Sequence, residues 1–466
     1  MSKRSKFDRR AAAIGLALIA ALACARENVR DLGGRVPTPS ARPQGVSTAI
    51  PQATPDAVPT PTPPGTLDST PEIGPTATPI DIPGPATRLV PDTELVYGPS
   101  AATFDLLGYI ESQDGYLKNY SEDVFEQRMS GGEIVRLVAL NYSINPRLLL
   151  ALLENQSGFV TNPNPGEKAR TYPLAREEAG REGLYHQLAW AADTLNRGYY
   201  GWRENTLTTI SFSPKQRVVI DKGLNAGTVA LQYFFASYYS EETAWLAQLG
   251  PQGLTGTYRR MFGDPFAFTA PDPLAPPDLI QLPLSWPWDP TETWYFIGGP
   301  HGAYESGSAW AALDFAPPGQ AAGCARNDAW LRAAAPGVVV RSDHGVLALD
   351  LGEGGNIDGL EQTGWVLFYL HVESRDRAPV GKVVNTGDPV GHPGCEGGSA
   401  RGVHLHFARK YNGEWIPAVG PPPFDLSGWT PTSRGVEYSG DLVGGDYTLS
   451  ACECRSSVNA IKVGGR

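Results

Sequence analysis

Gly402-Val403-His404-Leu405-His406-Phe407 sets two histidines one residue apart among apolar side chains. Along a β-strand successive side chains alternate faces, so His404 and His406 project from one face while Leu405 and Phe407 enter a core on the other. Two imidazoles on one strand face can converge on a single metal ion. Such a pair also occurs on polar sheet faces without any ion, so its meaning depends on what the rest of the chain supplies.

The surroundings read as an all-β region of short strands divided by glycine and proline turns. Val338-Val339-Val340, Val346-Leu347-Ala348-Leu349 and Trp365-Val366-Leu367-Phe368-Tyr369-Leu370 are its clearest strands. Three further segments carry polar groups of interest. Gly298-Gly299-Pro300-His301 puts a histidine after a glycine-rich turn. Ala312-Leu313-Asp314-Phe315 buries a carboxylate in an apolar strand, where it needs a cation or hydrogen-bond donors; a salt bridge is the plainer explanation. Leu370-His371-Val372 ends an apolar strand in a histidine, which taken alone reads as a satisfied core or edge residue. His186, His344 and His392 are read as structural.

Taken together, His301, Asp314, His371, His404 and His406 resemble, in order and context, the five functional positions of lysostaphin-type (LytM-like) zinc endopeptidases. The usual His-x-Gly-x-Asp is absent, because twelve residues separate His301 from Asp314. That spacing is similar to the β-lytic and staphylolysin branch, which Cys395, nine residues before His404, also suits. The resemblance covers about residues 286–416. It implies Zn²⁺ held by His301, Asp314 and His406, with an open fourth position for water. It also implies that the other two histidines are catalytic, His404 as general base and His371 stabilising the developing oxyanion or assisting the leaving amine, or the reverse; Tyr369, two before His371 on the same strand face, is a further oxyanion-donor candidate.

Upstream, residues 96–268 are expected to form a mostly α domain. Ser130-Gly131-Gly132-Glu133 reads as a capping box opening a helix through Leu140, and Asn145-Pro146 as the start of another, with Leu148, Leu149, Leu152 and Leu153 on one face. Amphipathic segments follow near Tyr185–Leu195, Val218–Tyr239 and Glu241–Leu249. The stretch Ile144 to Phe159 resembles the catalytic helix of lytic transglycosylases with a lysozyme-like fold. Gln156 stands before Ser157 where that family has its acidic glutamate, and Glu154 lies about 200° away around the helix. The expectation is therefore an inactive lysozyme-like domain, with an unrelated helical bundle as the alternative.

The chain of 466 residues carries a net charge of −11, which argues against a nucleic-acid partner. Lys3, Arg4, Lys6, Arg9 and Arg10 precede an apolar run from Ala11 to Ala23, the layout of a secretory signal. Its end at Ala21-Leu22-Ala23-Cys24 resembles a lipobox, so residues 1–24 are read as a leader with a lipid anchor on Cys24; an ordinary signal peptide is the other reading. Residues 25–95, rich in proline and threonine, are expected to be a disordered linker, and a polyproline form of Val36 to Pro91 would reach roughly 170 Å at ~3.1 Å per residue. Residues 269–285 form a second proline-rich linker, 286–420 the peptidase domain and 421–466 a small β appendage. Cys324, Cys395, Cys452 and Cys454 suit disulfides in an oxidising compartment. A Cys452–Cys454 bond would close a very tight loop, so Cys324 with Cys395 is the preferred pair.

The expected protein is a monomeric, extracytoplasmic zinc endopeptidase acting on the peptides of peptidoglycan. The alternatives are a non-catalytic wall-binding or amidase-activating protein, and a bifunctional hydrolase in which Glu154 cleaves glycan.

Overall fold

The computed structural model describes residues 80–462 except 214–215, 238, 320–322 and 355. The leader, Cys24 and most of the proline–threonine tract lie outside the described residues. The described residues form one compact unit.

Its first part is helical for the local reasons the sequence suggests. Helix α1, Gly131–Tyr142, opens on a complete capping box, the Glu133 carboxylate accepting from the Ser130 N–H at 2.7 Å. Helix α2, Pro146–Ser157, has Asn145 accepting from the Arg147 N–H at 2.9 Å and stops at Gly158 in the left-handed region, where a missing Cβ removes the steric cost. Leu148 through Leu153 are buried without exception. Helix α3, Leu184–Arg203, packs on α4, Ala226–Ala236, through Gly198, where a Cβ would lie 2.8 Å from the Ala230 Cα.

Two expectations change here. The segment Val218–Tyr239 is not continuous helix: Gln216–Val219 is a strand, and a turn in which Asp221 accepts from the Gly223 N–H at 2.8 Å separates it from α4. Nor is residue 95 the end of a disordered linker. Ile80–Pro83 pairs in parallel with Gln216–Val219, Leu89 and Val90 are buried, and Glu94 forms a fully buried ion pair with Arg147 at 2.6 Å. These residues have the apolar surface and the charge partner that the preceding proline-rich tract lacks.

The second part is built on a nine-stranded antiparallel sheet, as the alternating pattern requires. Its strands are β1 Thr293–His301, β2 Ala312–Ala316, β3 Gly337–Asp343, β4 Val346–Gly352, β5 Trp365–Leu370, β6 Val383–Val384, β7 Leu405–Tyr411, β8 Glu414–Trp415 and β9 Ala460–Lys462. The spatial order is β6-β3-β4-β5-β7-β2-β1-β9, with β8 on β7. One face presents Phe296, Phe315, Leu347, Tyr369, Leu405 and Phe407 to an apolar core that also takes in Trp286, Trp288 and Trp294. The other face presents Val346, Phe368, Leu370 and Ala408 to the helices. Strands buried on both sides read as continuous apolar runs, which explains Trp365 to Leu370.

Polar side chains on the helix-facing side pair across the contact. Lys410 Nζ meets Glu361 at 2.8 Å and donates to the Leu140 carbonyl at 3.2 Å. Glu414 lies 3.0 Å from Arg203 and accepts from the Tyr199 hydroxyl at 3.2 Å.

The C-terminal residues are tied to the sheet. Thr430–Ser433, Gly440–Gly444 and Tyr447–Ser450 form a three-stranded sheet, and β9 extends the main sheet beside β1. Both cysteine pairs are bonded, Cys324–Cys395 as preferred and also Cys452–Cys454, against the tight-loop objection. Asn459 Nδ2 donates to the carbonyls of Cys452 and Cys454 at 3.1 and 2.8 Å and holds that short turn.

Candidate metal centre

Gly298-Gly299-Pro300-His301 is the end of strand β1 rather than a turn. Its pairing with β2 slips twice, before Gly298 and again before His301. The glycines are needed for close approach: a Cβ on Gly298 would lie 2.9 Å from Asp314 Oδ2, and one on Gly299 2.7 Å from the Gly440 nitrogen. The slippage turns His301 toward β2 and β7, where Asp314 and His406 stand opposite each other in register.

His301 Nε2, Asp314 Oδ1 and His406 Nδ1 converge. The separations are 3.3 Å from His301 to Asp314, 3.2 Å from His406 to Asp314 and 3.0 Å between the two imidazoles. Each imidazole uses its outer nitrogen elsewhere, His301 Nδ1 to the Gly299 carbonyl and His406 Nε2 to the Ala303 carbonyl, both at 2.8 Å. With those nitrogens protonated, both inner nitrogens are bare lone pairs facing a carboxylate oxygen. Asp314 Oδ1 is buried and has no hydrogen-bond donor. Three acceptors with no proton between them repel one another unless a cation stands in the middle, and two imidazoles with one carboxylate are a fitting donor set for zinc. Burial opposes the charge on Asp314, and it takes positive charge in the cluster, on His301 first, to hold its carboxyl well below the usual carboxylate range.

The two remaining histidines stand beside this cluster. His404 Nε2 is 3.8 Å from Asp314 Oδ2, and the rings of His404 and His371 are 4.5 Å apart. His404 Nδ1 bonds the Gly402 carbonyl at 2.8 Å and His371 Nδ1 the Glu396 carbonyl at 2.9 Å, so in both rings Nε2 is left as an acceptor facing the cleft. Burial and the neighbouring imidazoles of His404 and His406 push His371 down to about 3, which keeps it neutral.

Tyr369 is not brought to the site. Alternation from His371 would put it on the metal side, but His371 lies just past β5 with φ +64°, and this left-handed residue breaks the period. The Tyr369 hydroxyl donates to the Arg332 carbonyl at 3.2 Å and accepts from the Ala334 N–H at 2.8 Å, inside the opposite core. A different tyrosine occupies the cleft. Tyr438 stacks on His301 at 4.1 Å between centroids and lines the cleft with Glu305, His371 and His404. Burial and nearby carboxylates, Asp314 first, push its hydroxyl up to about 12. Nothing in Val436-Glu437-Tyr438 marks it in sequence; backbone bonds from the Gly299 N–H to the Tyr438 carbonyl, 2.9 Å, and from the Tyr438 N–H to the Pro300 carbonyl, 3.2 Å, carry it there.

His392 stacks on Trp330 at 4.0 Å and bonds the Ala329 carbonyl, and His344 sits in the β3–β4 turn, neither among the converging ligands. Glu154, the remaining candidate acid of the helical part, accepts from Val160 N–H, Thr161 N–H and the Thr161 hydroxyl, and so closes the end of α2.

Comparison with known proteins bears on both parts. Residues 88–275 match the family model described as LasA, N-terminal domain. The chain is 29% identical over 352 residues to protease LasA of Pseudomonas aeruginosa, covering 71% of this chain and 75% of the relative. Among solved structures, the deep-sea metalloprotease pseudoalterin is 22% identical, with 37% of this chain and 96% of that one covered at a TM-score of 0.31. The catalytic domain of lysostaphin from Staphylococcus simulans is 20% identical, covering 28% and 90% at 0.20. Together with the His301–Asp314–His406 cluster, the likeness to protease LasA identifies the chain as a zinc metalloendopeptidase.

Proposed function

We propose that this protein hydrolyses peptide bonds of peptidoglycan outside the cytoplasm, using a zinc ion held by His301, Asp314 and His406. The convergence of three unprotonated acceptor atoms on one buried point is the observation that carries the reading. When bound there, the ion supplies a Lewis acid for the scissile carbonyl and lowers the pKa of its water toward ~7.

The chain's own residues supply the rest. His404, with Nδ1 fixed by Gly402 and Nε2 beside Asp314, is placed to take a proton from the attacking water. His371 is neutral and 4.5 Å from His404 ring to ring, so the same pair can return that proton to the leaving amine. Tyr438 keeps its hydroxyl proton at working pH and faces the cleft, where it can donate to the oxygen that gains charge. The basic-apolar leader and the proline–threonine tract support a monomer anchored through Cys24 and reaching toward the wall.

The test is metal content and the release of new amino termini from purified peptidoglycan, for the wild type and for His406→Ala. One zinc per chain and release that His406→Ala abolishes are expected. A metal-free wild type that releases nothing would overturn the reading.

A further inference from the structure

Residues 394–402 run along the rim of the cleft between Gly391 and β7 and contain neither helix nor strand. They nevertheless supply the partners that orient both non-ligand histidines. The Glu396 carbonyl takes His371 Nδ1 and the Gly402 carbonyl takes His404 Nδ1. Gly394 donates its N–H to the His371 carbonyl at 2.6 Å and accepts from the His404 N–H at 3.3 Å. Gly398 lies against the His371 ring, where a Cβ would be 3.6 Å from Cε1, and Gly398 and Ser399 line the cleft. None of these contacts involves a metal ligand.

A segment without regular structure holds such carbonyls in place only if it is itself held. Beyond the Gly394 backbone bonds at its start, its side-chain anchors are Glu396 Oε1 accepting from the Ser374 N–H at 2.7 Å and an ion pair with Arg377 at 3.6 Å, where the Glu396 side chain is 41% exposed and the pair correspondingly weak. A further tie is covalent. Cys395, next to Glu396, is bonded to Cys324, and the adjoining Gly323 carbonyl accepts from the Val403 N–H at 3.1 Å at the segment's other end. One short stretch around Cys324 therefore grips residues 394–402 at both ends.

We propose that the Cys324–Cys395 disulfide is a positioning device for catalysis: by clamping residues 394–402 it keeps the Glu396 and Gly402 carbonyls on His371 and His404, without bearing on the metal ligands. This rests on the peptidase reading above. His371 and His404 keep their outer nitrogens protonated and their Nε2 lone pairs in the cleft only while those carbonyls stay put. His301 and His406 are oriented separately, by Gly299 and Ala303, outside the clamped segment.

The experiment compares the full-length wild type with Cys324→Ser/Cys395→Ser for zinc per chain, kcat and KM on solubilised peptidoglycan fragments, and the Nδ1–H NMR signals of His371 and His404 in zinc-loaded, ¹⁵N-histidine-labelled protein. Loss of an orienting partner beside a metal site costs about 10–100-fold. The expected result is a kcat lower by about that factor, KM and zinc little changed, and both Nδ1–H signals shifted or lost. A double variant with wild-type kcat and unchanged signals overturns the proposal, as does one that loses zinc and activity together, which makes the bond a general brace. If the double variant does not fold, phosphine reduction of the folded wild type is read in the same way, with Cys452→Ser/Cys454→Ser controlling for the other disulfide. Activity falling at constant zinc and returning on reoxidation supports the clamp, and a reduced chain with full activity overturns it. A wild type with neither zinc nor hydrolysis defeats the peptidase reading instead, and the imidazole signals, recorded then in the metal-free wild type and double variant, decide on the clamp alone.

Discussion

His406 stands directly opposite Asp314 across the antiparallel pairing of β7 and β2, and the Asp314 oxygen that points at it has no hydrogen-bond donor. A buried carboxylate in that position needs positive charge beside it. Zinc binds only the folded arrangement, so it should raise stability by about 2.7 kcal/mol when its concentration is a hundredfold above the dissociation constant. Thermal unfolding with added zinc, and again after chelation, should show this shift in the wild type and no shift in His406→Ala. An equal response in the variant would place the ion elsewhere.

Two tyrosines should separate cleanly in kinetics. Tyr438→Phe removes a donor from the cleft and should lower kcat by about 10²–10³-fold, the range for one oxyanion donor, while zinc content and melting temperature stay near wild type. Tyr369→Phe strips the buried Ala334 N–H of its acceptor and should cost about 1–3 kcal/mol of stability with kcat retained. A large kcat loss in Tyr369→Phe with intact stability would reverse these roles.

The sheet was legible because it rests on local regularities, whereas the ligand set was implied by the resemblance to lysostaphin-type endopeptidases. Alternation along His404-Leu405-His406-Phe407 puts both histidines on one face without choosing between them, and a carboxylate in an apolar strand at Asp314 calls for a partner without naming it. What stayed hidden depends on departures from regularity or on distance. The left-handed φ of His371 removes Tyr369 from the face that alternation assigns to it. The slipped pairing of Gly298 to His301 makes a strand end resemble a turn. Tyr438 reaches the site because its backbone bonds Gly299 and Pro300 and the neighbouring Gly440 packs against Gly299, contacts with no local signature. Residues 80–95 looked like linker because their partners, Gln216–Val219 and Arg147, lie far along the chain.

Glu154 offers a direct check on the helical part. Its carboxylate is engaged at the end of α2, with the Thr161 hydroxyl donating at 2.6 Å. Glu154→Ala should cost about 1 kcal/mol, typical of a lost end-of-helix partner at a partly exposed site, and leave hydrolysis of peptidoglycan peptides unchanged. Glycan cleavage by the wild type that disappears in Glu154→Ala would restore the lytic transglycosylase alternative.

The contact between helices and sheet carries a pH dependence of its own. Burial raises the Glu414 carboxyl to about 6 from the usual 4.5, although Arg203 at 3.0 Å pulls it the other way and the Tyr199 hydroxyl donates to it; Asp92 adds to the rise. A carboxyl with a raised folded-state pKa binds its proton more tightly folded than unfolded. Its contribution is therefore fully present below about 4.5, declines as pH rises through about 6 and is lost above that. The difference amounts to about 2 kcal/mol at 1.36 kcal/mol per unit. Glu414→Gln cannot titrate, so denaturant unfolding from pH 4 to 7 should show a wild-type stability that falls relative to this variant across that window. A constant difference between the two would mean that Glu414 stays charged beside Arg203 throughout, with the ion pair outweighing its burial.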